Sequence, residues 1–327
     1  MTTASRQAAL ITAASFPVPG IILRSADPAA QAPWREFAGS QAAIARTTCE
    51  LLAERLRGTP GASHRATELT TALEAIEGWR YRLALASPHP DGRYAAAHAE
   101  RFRTPVTDDN PNLFRIGEPE RYRDAATWDD AARCYTGGNE TPASATMRRY
   151  AALAARRLAA SPHAEHADNL VALPGMRQAQ GTRLLRGEAA RRAAAEIARR
   201  ITARGGDASR ISTAGDLVYA ASAPETDRQA TFGSAVSLLA GIAPDPASAP
   251  RAWARAAWRL YQAPRAKRGT DAVIRVFLIA TGTCLLGKPP VLPRDIDLAA
   301  YVHEEGSFVS QVTAAQRSLP PWPGLAG

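Results

Sequence analysis

The sequence predicts an all-α fold, a compact multi-helix domain. Apolar residues recur at helical spacing in successive segments, several of them bounded by a capping residue or by Gly and Pro. No stretch shows the polar and apolar alternation, bounded by hairpin turns, that is typical of a sheet. Of the 327 residues 46% are hydrophobic and only 6% aromatic. This composition favours closely packed helices over a roomy, aromatic-lined cavity.

The helices are predicted from apolar spacing and from their start and stop signals. Trp34, Phe37 and Leu52 fall near one face of a helix over 34–57, which Gly58 and Pro60 end. The next helix, 66–86, ends before the Ser87-Pro88 pair. Thr141 is an N-cap followed by proline and opens a helix over 142–160. The same spacing predicts further helices at 186–203, 209–222, 226–241, 250–262, 270–286 and 294–304.

The chain is predicted to contain a helical domain at 1–242 and a C-terminal helical subdomain at 250–327, packed together as one unit. The prolines and small residues of 243–250, "APDPASAP", mark the boundary. Residues 104–141 interrupt the helical pattern with a long polar loop. Because long ordered loops often carry function, this loop is a candidate for half of a site. The alternative is a solvated insertion with one short helix around Trp128.

The charge balance is strongly basic, with 40 Lys and Arg against 31 Asp and Glu and a formal net charge of +9. Such a field favours a nucleotide or phosphate ligand, an acidic protein partner or nucleic acid. The alternative is that the arginine excess has no partner, because an Ala- and Arg-rich composition often accompanies coding sequences of high GC content. The segment 186–206 concentrates arginines around an Ala and Ile face, which predicts either a phosphate-binding helix or a solvated face.

The cysteines and the N-terminal sequence indicate the cellular compartment of the protein. Cys49, Cys134 and Cys284 are far apart in sequence, so neither a disulfide framework nor a cysteine zinc pattern is expected. This usage favours a reducing cytoplasm. The N-terminus makes a poor signal peptide, and no apolar run has the length of a membrane-spanning helix. The sequence therefore predicts a cytoplasmic protein with no membrane partner.

Three acidic or histidine clusters could hold a metal. His163, His166 and Asp168 fall within six residues, and paired acids occur at 108–109 and 129–130. Exposed helix starts and loop caps account for the same residues, so no metal site is predicted. The standard dinucleotide, P-loop and hydrolase motifs do not occur. No catalytic residue and no cofactor can be assigned from these patterns.

A short basic loop precedes the apolar helix predicted at 270–286, and it carries the candidate binding residues. Arg265, Lys267 and Arg268 stand immediately before Gly269 and Thr270, whose backbone amides begin the helix. Free amides, the helix dipole and flanking cations together predict an anion site. The alternative is a plain helix start, in which the carboxylate of Asp271 satisfies the dipole internally.

Residues 250–306 resemble the C-terminal half of the Fic/Doc family. The similarity rests on Lys267-Arg268, on Phe277-Leu278 nine and ten residues after that arginine, on Gly282, and on "DIDLAAYVHEEG" at 295–306. In that family a loop of the pattern His-x-Phe-x-Asp/Glu-x-Asn-Gly/Lys-Arg enters a core helix that holds nucleotide phosphates. The resemblance implies transfer of AMP or a phosphoryl group to protein hydroxyls, with the loop histidine as general base.

The catalytic motif is degenerate in this chain. Counting back from Arg268, the family's histidine falls at Leu260, its acid at Pro264 and its asparagine at Ala266. The usual base and magnesium ligand are therefore missing. The resulting hypothesis is a Fic-like protein with a basic nucleotide- or anion-binding loop and lost or altered catalysis. The alternative is a non-enzymatic basic helical module that binds an acidic protein or nucleic acid.

Overall fold

The computed structural model describes residues 3–25, 27–57, 61–87, 96–213, 216–242 and 248–317. The helices are α1 (Thr3–Ala9), α2 (Ala32–Arg57), α3 (Ala62–Leu85), α4 (Pro142–Ala159), α5 (Gly187–Thr202), α6 (Glu225–Ala240), α7 (Ala249–Gln262), α8 (Thr270–Leu286), α9 (Ile296–Val302) and α10 (Glu305–Arg317). The strands are β1 (Leu113–Ile116), β2 (Thr127–Asp129), β3 (Cys134–Thr136), β4 (His166–Ala172), β5 (Gln178–Leu185) and β6 (Val218–Ala221).

The predicted all-α fold is wrong, because the chain is a mixed α and β protein. A four-stranded antiparallel sheet has the order β1-β6-β5-β4, and β2 and β3 form a separate two-stranded sheet. Among the described residues of 209–222, the predicted helix is replaced by an irregular segment and β6. The polar loop predicted at 104–141 contains β1, β2 and β3, and Trp128 lies in a strand and not in a short helix.

The amino-acid compositions of the strands do not predict strand structure. β5, "QAQGTRLL", and β6, "VYAA", contain Gln, Gly and Ala, which are poor strand formers, and few β-branched residues. β4 and β5 are joined by a tight turn at Pro174–Met176, where Gly175 adopts a φ of 74°. Pro174-Gly175 signals a turn there, but the Asn-Gly or Asp-Gly pair that is typical of a two-residue hairpin is missing. Tertiary pairing outweighs local propensity here.

The four-stranded sheet separates two apolar layers. On β6, Tyr219 packs with a small cluster formed by α5, whereas its neighbour Ala220 belongs to the main helical core. On β5, Leu185 likewise packs with the small cluster, and Leu184 belongs to the main core. Because successive strand side chains point to opposite faces, the sheet fixes α5 on one side and the helical core on the other.

Helix α8 forms the centre of the main core. Every residue from Val273 to Thr283 is buried, and the helix contacts α1, α2, α3 and α7. This explains its all-round apolar character, which is typical of a central helix. None of the helices in the described ranges combines the length and apolar character needed to cross a membrane.

The predicted boundary between domains falls largely at 243–247, which lies outside the described residues. Buried residues on both sides of it contribute to the same core. Leu239 and Ile242 precede the boundary and Trp253 and Trp258 follow it, all within one apolar cluster. The C-terminal helices therefore share their hydrophobic core with the rest of the chain.

A buried polar network joins the sheet to α7 and α9. The side chain of Asn169 on β4 donates to Gln262 Oε1 at 2.9 Å, and the Thr182 amide donates to the same oxygen at 2.9 Å. Gln262 Nε2 in turn donates to the Ala300 carbonyl at 2.9 Å. A fully satisfied network of this kind fixes one arrangement of the elements that it joins.

Gly181 on β5 leaves the space that this network needs, which makes Gly181→Ala a test of the fold. A Cβ there would lie 2.8 Å from Gln262 Oε1 and 3.0 Å from the Asn169 carbonyl oxygen. We expect Gly181→Ala to lower the free energy of unfolding by roughly 2–4 kcal/mol, measured by urea denaturation. Gly233→Ala is the control, because its Cβ meets open space on α6 and should change stability by at most about 1 kcal/mol. Equal effects at the two positions would contradict the network.

Candidate functional site

A cleft with a volume of about 800 Å³ lies among the described residues. It opens between the start of α8, the end of α5, the N-terminal half of α2 and the segment 104–114. Residues 16–19, Ile21 and Ile22 close one side of it. Its size lies in the range that small-molecule sites occupy. The cleft is therefore the first place to look for a ligand.

One wall of the cleft is basic. Its cationic side chains come from four parts of the chain that are well separated in sequence. They are Arg80, Arg101, Arg200, Arg204, Lys267, Arg268 and Arg275. The acidic side chains on the lining are Asp271 and Asp297. The fold thus gathers an excess of positive charge at one place, which local sequence alone does not reveal.

The basic loop before α8 is held by backbone pairing with the segment that follows residue 103. The Val106 amide donates to the Arg265 carbonyl at 3.1 Å, and the Lys267 amide donates to the Thr104 carbonyl at 3.0 Å. Asn112 Nδ2 donates to the Ala266 carbonyl at 3.2 Å. Because these bonds fix the backbone, the cations of the loop are positioned before any ligand arrives.

Arg228 holds the same loop from the side of α6. Its buried guanidinium donates to the carbonyls of Pro264 at 3.1 Å and Val106 at 2.7 Å. A third bond, to the Ala223 carbonyl at 3.0 Å, fixes the guanidinium itself. One buried cation therefore ties the basic loop to its partner segment and to the start of α6.

Gly269 is the N-cap of α8 and has no room for a side chain. Its φ is +76°, and a Cβ would lie 2.6 Å from the Phe102 ring. The positive φ turns the chain from the basic loop into the helix, which glycine does at little cost. The first amides of α8, starting at Thr270, have no acceptor within the helix, so they bring partial positive charge to the cleft.

The carboxylate of Asp271, in the first turn of α8, has two side-chain partners. Its oxygens accept from Arg275 Nε at 2.8 Å, and Oδ1 also accepts from the Tyr261 hydroxyl at 2.9 Å. The carboxylate is therefore committed to Arg275 and Tyr261. Its negative charge in the first turn still interacts favourably with the helix dipole, so the alternative of a plain helix start stays open.

The pKa of Lys267 reflects its burial and the excess of positive charge around it. Burial lowers the pKa of Lys267 to about 8, and repulsion from Arg200 and Arg101 adds to the effect. Lys267 Nζ donates to the carbonyls of Asn110 at 2.9 Å and Pro111 at 2.7 Å. Those neutral acceptors orient the ammonium without cancelling its charge. An anion in the cleft would relieve the repulsion.

Arg101 and Arg200 also line the cleft, and Arg200 is paired with Glu196 through its Nε at 2.5 Å. Burial lowers the pKa of Arg101, and the nearby Arg204 guanidinium contributes. Arg200 Nη1 donates to the Pro111 carbonyl at 2.7 Å, the same oxygen that accepts from Lys267. Two cations that share one neutral acceptor are held together against their repulsion, as in sites that bind phosphate groups.

Asp297 is the titratable acid of the cleft. Its side chain is 16% exposed, and its Oδ1 lies 3.9 Å from Arg275 Nη2. Burial raises the pKa of Asp297 to about 7, and repulsion from Asp271 acts in the same direction. The carboxyl is thus divided between its neutral and charged forms near neutral pH. Its ionisation adds negative charge to the cleft as pH rises.

The lining of the cleft also includes apolar and aromatic side chains. Phe37 lies 5.5 Å below the Arg80 guanidinium, and Tyr301 lies 6.3 Å from Phe114 between ring centroids. Phe16 and Trp34 also line the cleft. The composition favoured closely packed helices over an aromatic-lined cavity, and the cleft nevertheless has five aromatic residues on its lining.

The structure brings together most of the residues that the sequence singled out. Lys267, Arg268, Gly269 and Thr270 all line the cleft. Arg265 does not, since its guanidinium lies 3.4 Å from Glu77 and 3.5 Å from Glu74 on α3 and covers the Phe232 ring at 5.0 Å. Arg265 is therefore a structural ion pair on the other side of the loop.

The segment 104–141 contributes only its beginning to the cleft, through Thr104, Asn110, Asn112, Leu113 and Phe114. The arginine-rich segment 186–206 contributes Arg200 and Arg204. Its outward arginines are paired instead, for example Arg199 with Glu196 at 2.7 Å and Arg191 with Glu188 at 2.8 Å. Sequence reasoning missed Arg80, Arg101 and the N-terminal segment, because each stands alone among unremarkable neighbours.

The suspected metal ligands have other partners. Asp168 pairs with Arg183 at 2.6 Å, and His166 lies 3.8 Å from Asp168 on β4 and not on a helix. Asp108 accepts from the Glu225 amide at 2.7 Å and caps α6, and Asp129 accepts from two amides in the turn after β2. Within the described ranges, no group of three or more His, Cys, Asp or Glu could hold a metal.

The positions that correspond to the Fic/Doc catalytic residues lie apart from the basic wall. Leu260 is buried on α7, and Pro264 is buried at the start of the loop. The Ala266 carbonyl accepts from Asn112 and from the Thr270 hydroxyl at 3.0 Å. The helix–loop–helix of α7, the basic loop and α8 is present, but these three residues offer no base or metal ligand.

Comparison with known proteins gives no relative for this chain: no protein-family model matches it, and no curated protein matches it. The geometry of the cleft therefore carries the functional argument.

Proposed function

We propose that the cleft binds a small phosphorylated ligand with an aromatic ring, a nucleotide being the chemical class that fits. The observation that supports this is the pairing of a cationic wall, in which Lys267 has its pKa lowered to about 8, with aromatic side chains in one cleft of about 800 Å³. Phosphate oxygens would accept from Lys267, Arg268 and the first amides of α8.

In this proposal the chain is Fic-like in its anion-binding loop and degenerate in its catalytic residues. The α7–loop–α8 arrangement supports the first part. Leu260, Pro264 and Ala266 support the second, since none of them can take a proton from a hydroxyl or hold magnesium through its side chain. Ligand binding, and not group transfer, is thus the activity that the residues favour.

The alternative of a nucleic-acid or acidic-protein partner has less support. The outward arginines of α5 are neutralised by Glu188 and Glu196 on the same helix. The cationic side chains that the fold gathers from distant segments line a cleft, which suits a small ligand better than a duplex backbone. Nucleic-acid binding would weaken steeply with salt, with a slope proportional to the number of phosphates contacted.

The test is isothermal calorimetry on the wild-type protein with ATP, adenosine and sulfate. We expect ATP to bind more tightly than sulfate, and sulfate more tightly than adenosine, because the phosphates carry most of the binding. Sulfate keeps a constant charge between pH 6 and 9, so its pH profile reports the protein alone. Its affinity should fall roughly tenfold over that range, as Asp297 becomes charged and Lys267 neutral.

The outcomes separate the alternatives. Absence of heat with every ligand at millimolar concentration would contradict the proposal. If ATP binds no more tightly than sulfate, the aromatic residues of the cleft do not contribute to binding, and that part of the proposal is wrong. Tight binding of a DNA duplex with a steep salt dependence would favour the nucleic-acid module.

A further inference from the structure

The three cysteines were expected to be unrelated, but the fold brings two of them into contact. Cys49 Sγ on α2 and Cys284 Sγ on α8 are 3.3 Å apart, although 235 positions separate them in sequence. Cys284 Sγ also lies 3.1 Å from the Cys49 carbonyl oxygen. Both thiols are free. A disulfide has an S–S distance of about 2.05 Å, so a small side-chain movement would bring the sulfurs to bonding distance.

We propose that Cys49 and Cys284 form a reversible dithiol–disulfide pair that reacts with hydroperoxides. The two sulfurs differ in exposure. Cys284 is half-buried and can meet a small oxidant, whereas Cys49 is fully buried. The proposal rests on this contact between two helices and does not depend on which ligand the cleft binds.

The first step takes place at the half-buried sulfur. Cys284 Sγ attacks the terminal oxygen of the hydroperoxide, the O–O bond breaks, and the leaving alkoxide or hydroxide takes the thiol proton. This gives a sulfenic acid at Cys284 and one molecule of alcohol or water. The reaction should be slow, because the hydrogen bond to Cys49 and burial raise the pKa of the Cys284 thiol.

The second step closes the bond. Cys49 Sγ attacks Cys284 Sγ and expels hydroxide, which leaves as water with the Cys49 proton. In the reduced pair, the hydrogen bond from Cys284 lowers the pKa of the Cys49 thiol. In total, two thiols lose two electrons and two protons, and one hydroperoxide is reduced to an alcohol, or to water, and a further water.

The two helices joined in this way are both walls of the cleft. Trp34, Phe37 and Gln41 on α2 line it, as do Thr270 and Arg275 on α8. Cys49 and Cys284 lie further along the same helices, beyond the lining residues. The disulfide would therefore link two cleft walls covalently, and a reductant would separate them again.

The experiment treats the folded wild-type protein with hydrogen peroxide and then counts free thiols in denaturant with a maleimide. We expect one thiol to remain, that of Cys134, and peptide mapping to find Cys49 linked to Cys284. The intact mass should fall by two hydrogens. The melting temperature should rise by about 5 °C and return when the protein is treated with a thiol reductant.

Matched variants identify the sulfurs. Cys134→Ser should still form the disulfide and leave no free thiol, whereas Cys284→Ser should keep both remaining thiols unlinked. The mapping of wild-type protein decides the matter even if a variant folds poorly. Three free thiols after treatment, a bond that includes Cys134, or oxidation to sulfinic acid without a Cys49–Cys284 link would overturn the proposal.

Discussion

Arg275→Leu is expected to lower the free energy of unfolding by about 3–5 kcal/mol, because it removes the cation from a buried charge cluster. Arg275 is 2% exposed, and its Nε lies 2.8 Å from the Asp271 carboxylate. Its Nη2 donates to the Arg294 carbonyl at 2.6 Å and its Nη1 to the Pro17 carbonyl at 3.3 Å. Without it, two carboxylates would face each other with no cation between them. Chemical denaturation measures the loss.

The pH dependence of this loss tests its cause. Asp297 already has a pKa raised to about 7, and removing Arg275 would raise it further in the folded state. A folded-state pKa above the unfolded one means that protonation stabilises the fold, so stability lost at high pH returns as pH falls. The deficit of Arg275→Leu should therefore be smaller at pH 5 than at pH 8.

Two variants accompany this measurement. Arg156→Leu removes an exposed arginine from α4 and should change stability by less than about 0.5 kcal/mol. Adding Asp297→Asn to Arg275→Leu should recover part of the loss, since it removes one of the two unbalanced carboxylates. A deficit that is the same at both pH values, with no recovery in the double variant, would mean that packing and not charge explains it.

Most helices could be predicted from the sequence, because each depends on local signals. Thr141 caps α4 and accepts from the Ser144 amide at 3.1 Å, as its position before Pro142 indicates. The apolar segment at 270–286 coincides with α8. Apolar spacing and capping depend only on neighbours within a few turns, and this is why they can be read without a structure.

The sheet could not be predicted, because its stability comes from pairing between distant segments. β1 pairs with β6 across about a hundred residues, from Leu113 to Ala221, and neither strand shows alternation over more than four residues. Tyr219 gives β6 its one large anchor, and Ala220 is small because it faces the helical core. Short strands with small residues carry too little pattern to compete with a helical interpretation.

The site was predicted in part for the same reason. Lys267, Arg268 and the glycine before α8 are adjacent in sequence, so their chemistry is visible as a motif. Arg101 and Arg200 join them only through the fold, and Arg265 leaves the group because Glu74 and Glu77 on α3 attract it. A cluster assembled from several elements leaves no spacing signal, whereas a loop of adjacent cations does.

Lys267→Met combined with Arg268→Met is expected to reduce sulfate and ATP affinity by more than about 100-fold. Each charge-assisted hydrogen bond that is partly shielded from water contributes about 1.5–3 kcal/mol, and the double variant removes at least two. Methionine keeps the length of the side-chain stem, so packing in the loop is largely retained. The backbone bonds of Val106 and Lys267 that hold the loop are unaffected by the change.

Stability and binding should respond in different ways in this variant. Burial, and to a lesser extent repulsion from neighbouring arginines, lowers the pKa of Lys267. Removing the charge therefore removes an unfavourable contribution to the folded state, but it also breaks the hydrogen bonds to the Asn110 and Pro111 carbonyls. These effects oppose each other, and the melting temperature should change little.

Arg265→Met is the matched control, because it removes the same kind of charge two residues away on the side facing Glu74 and Glu77. It should keep full affinity. If Arg265→Met weakens binding as much as the double variant does, general electrostatic attraction and not the cleft accounts for the binding. If the double variant binds as well as the wild type, the anion site is elsewhere.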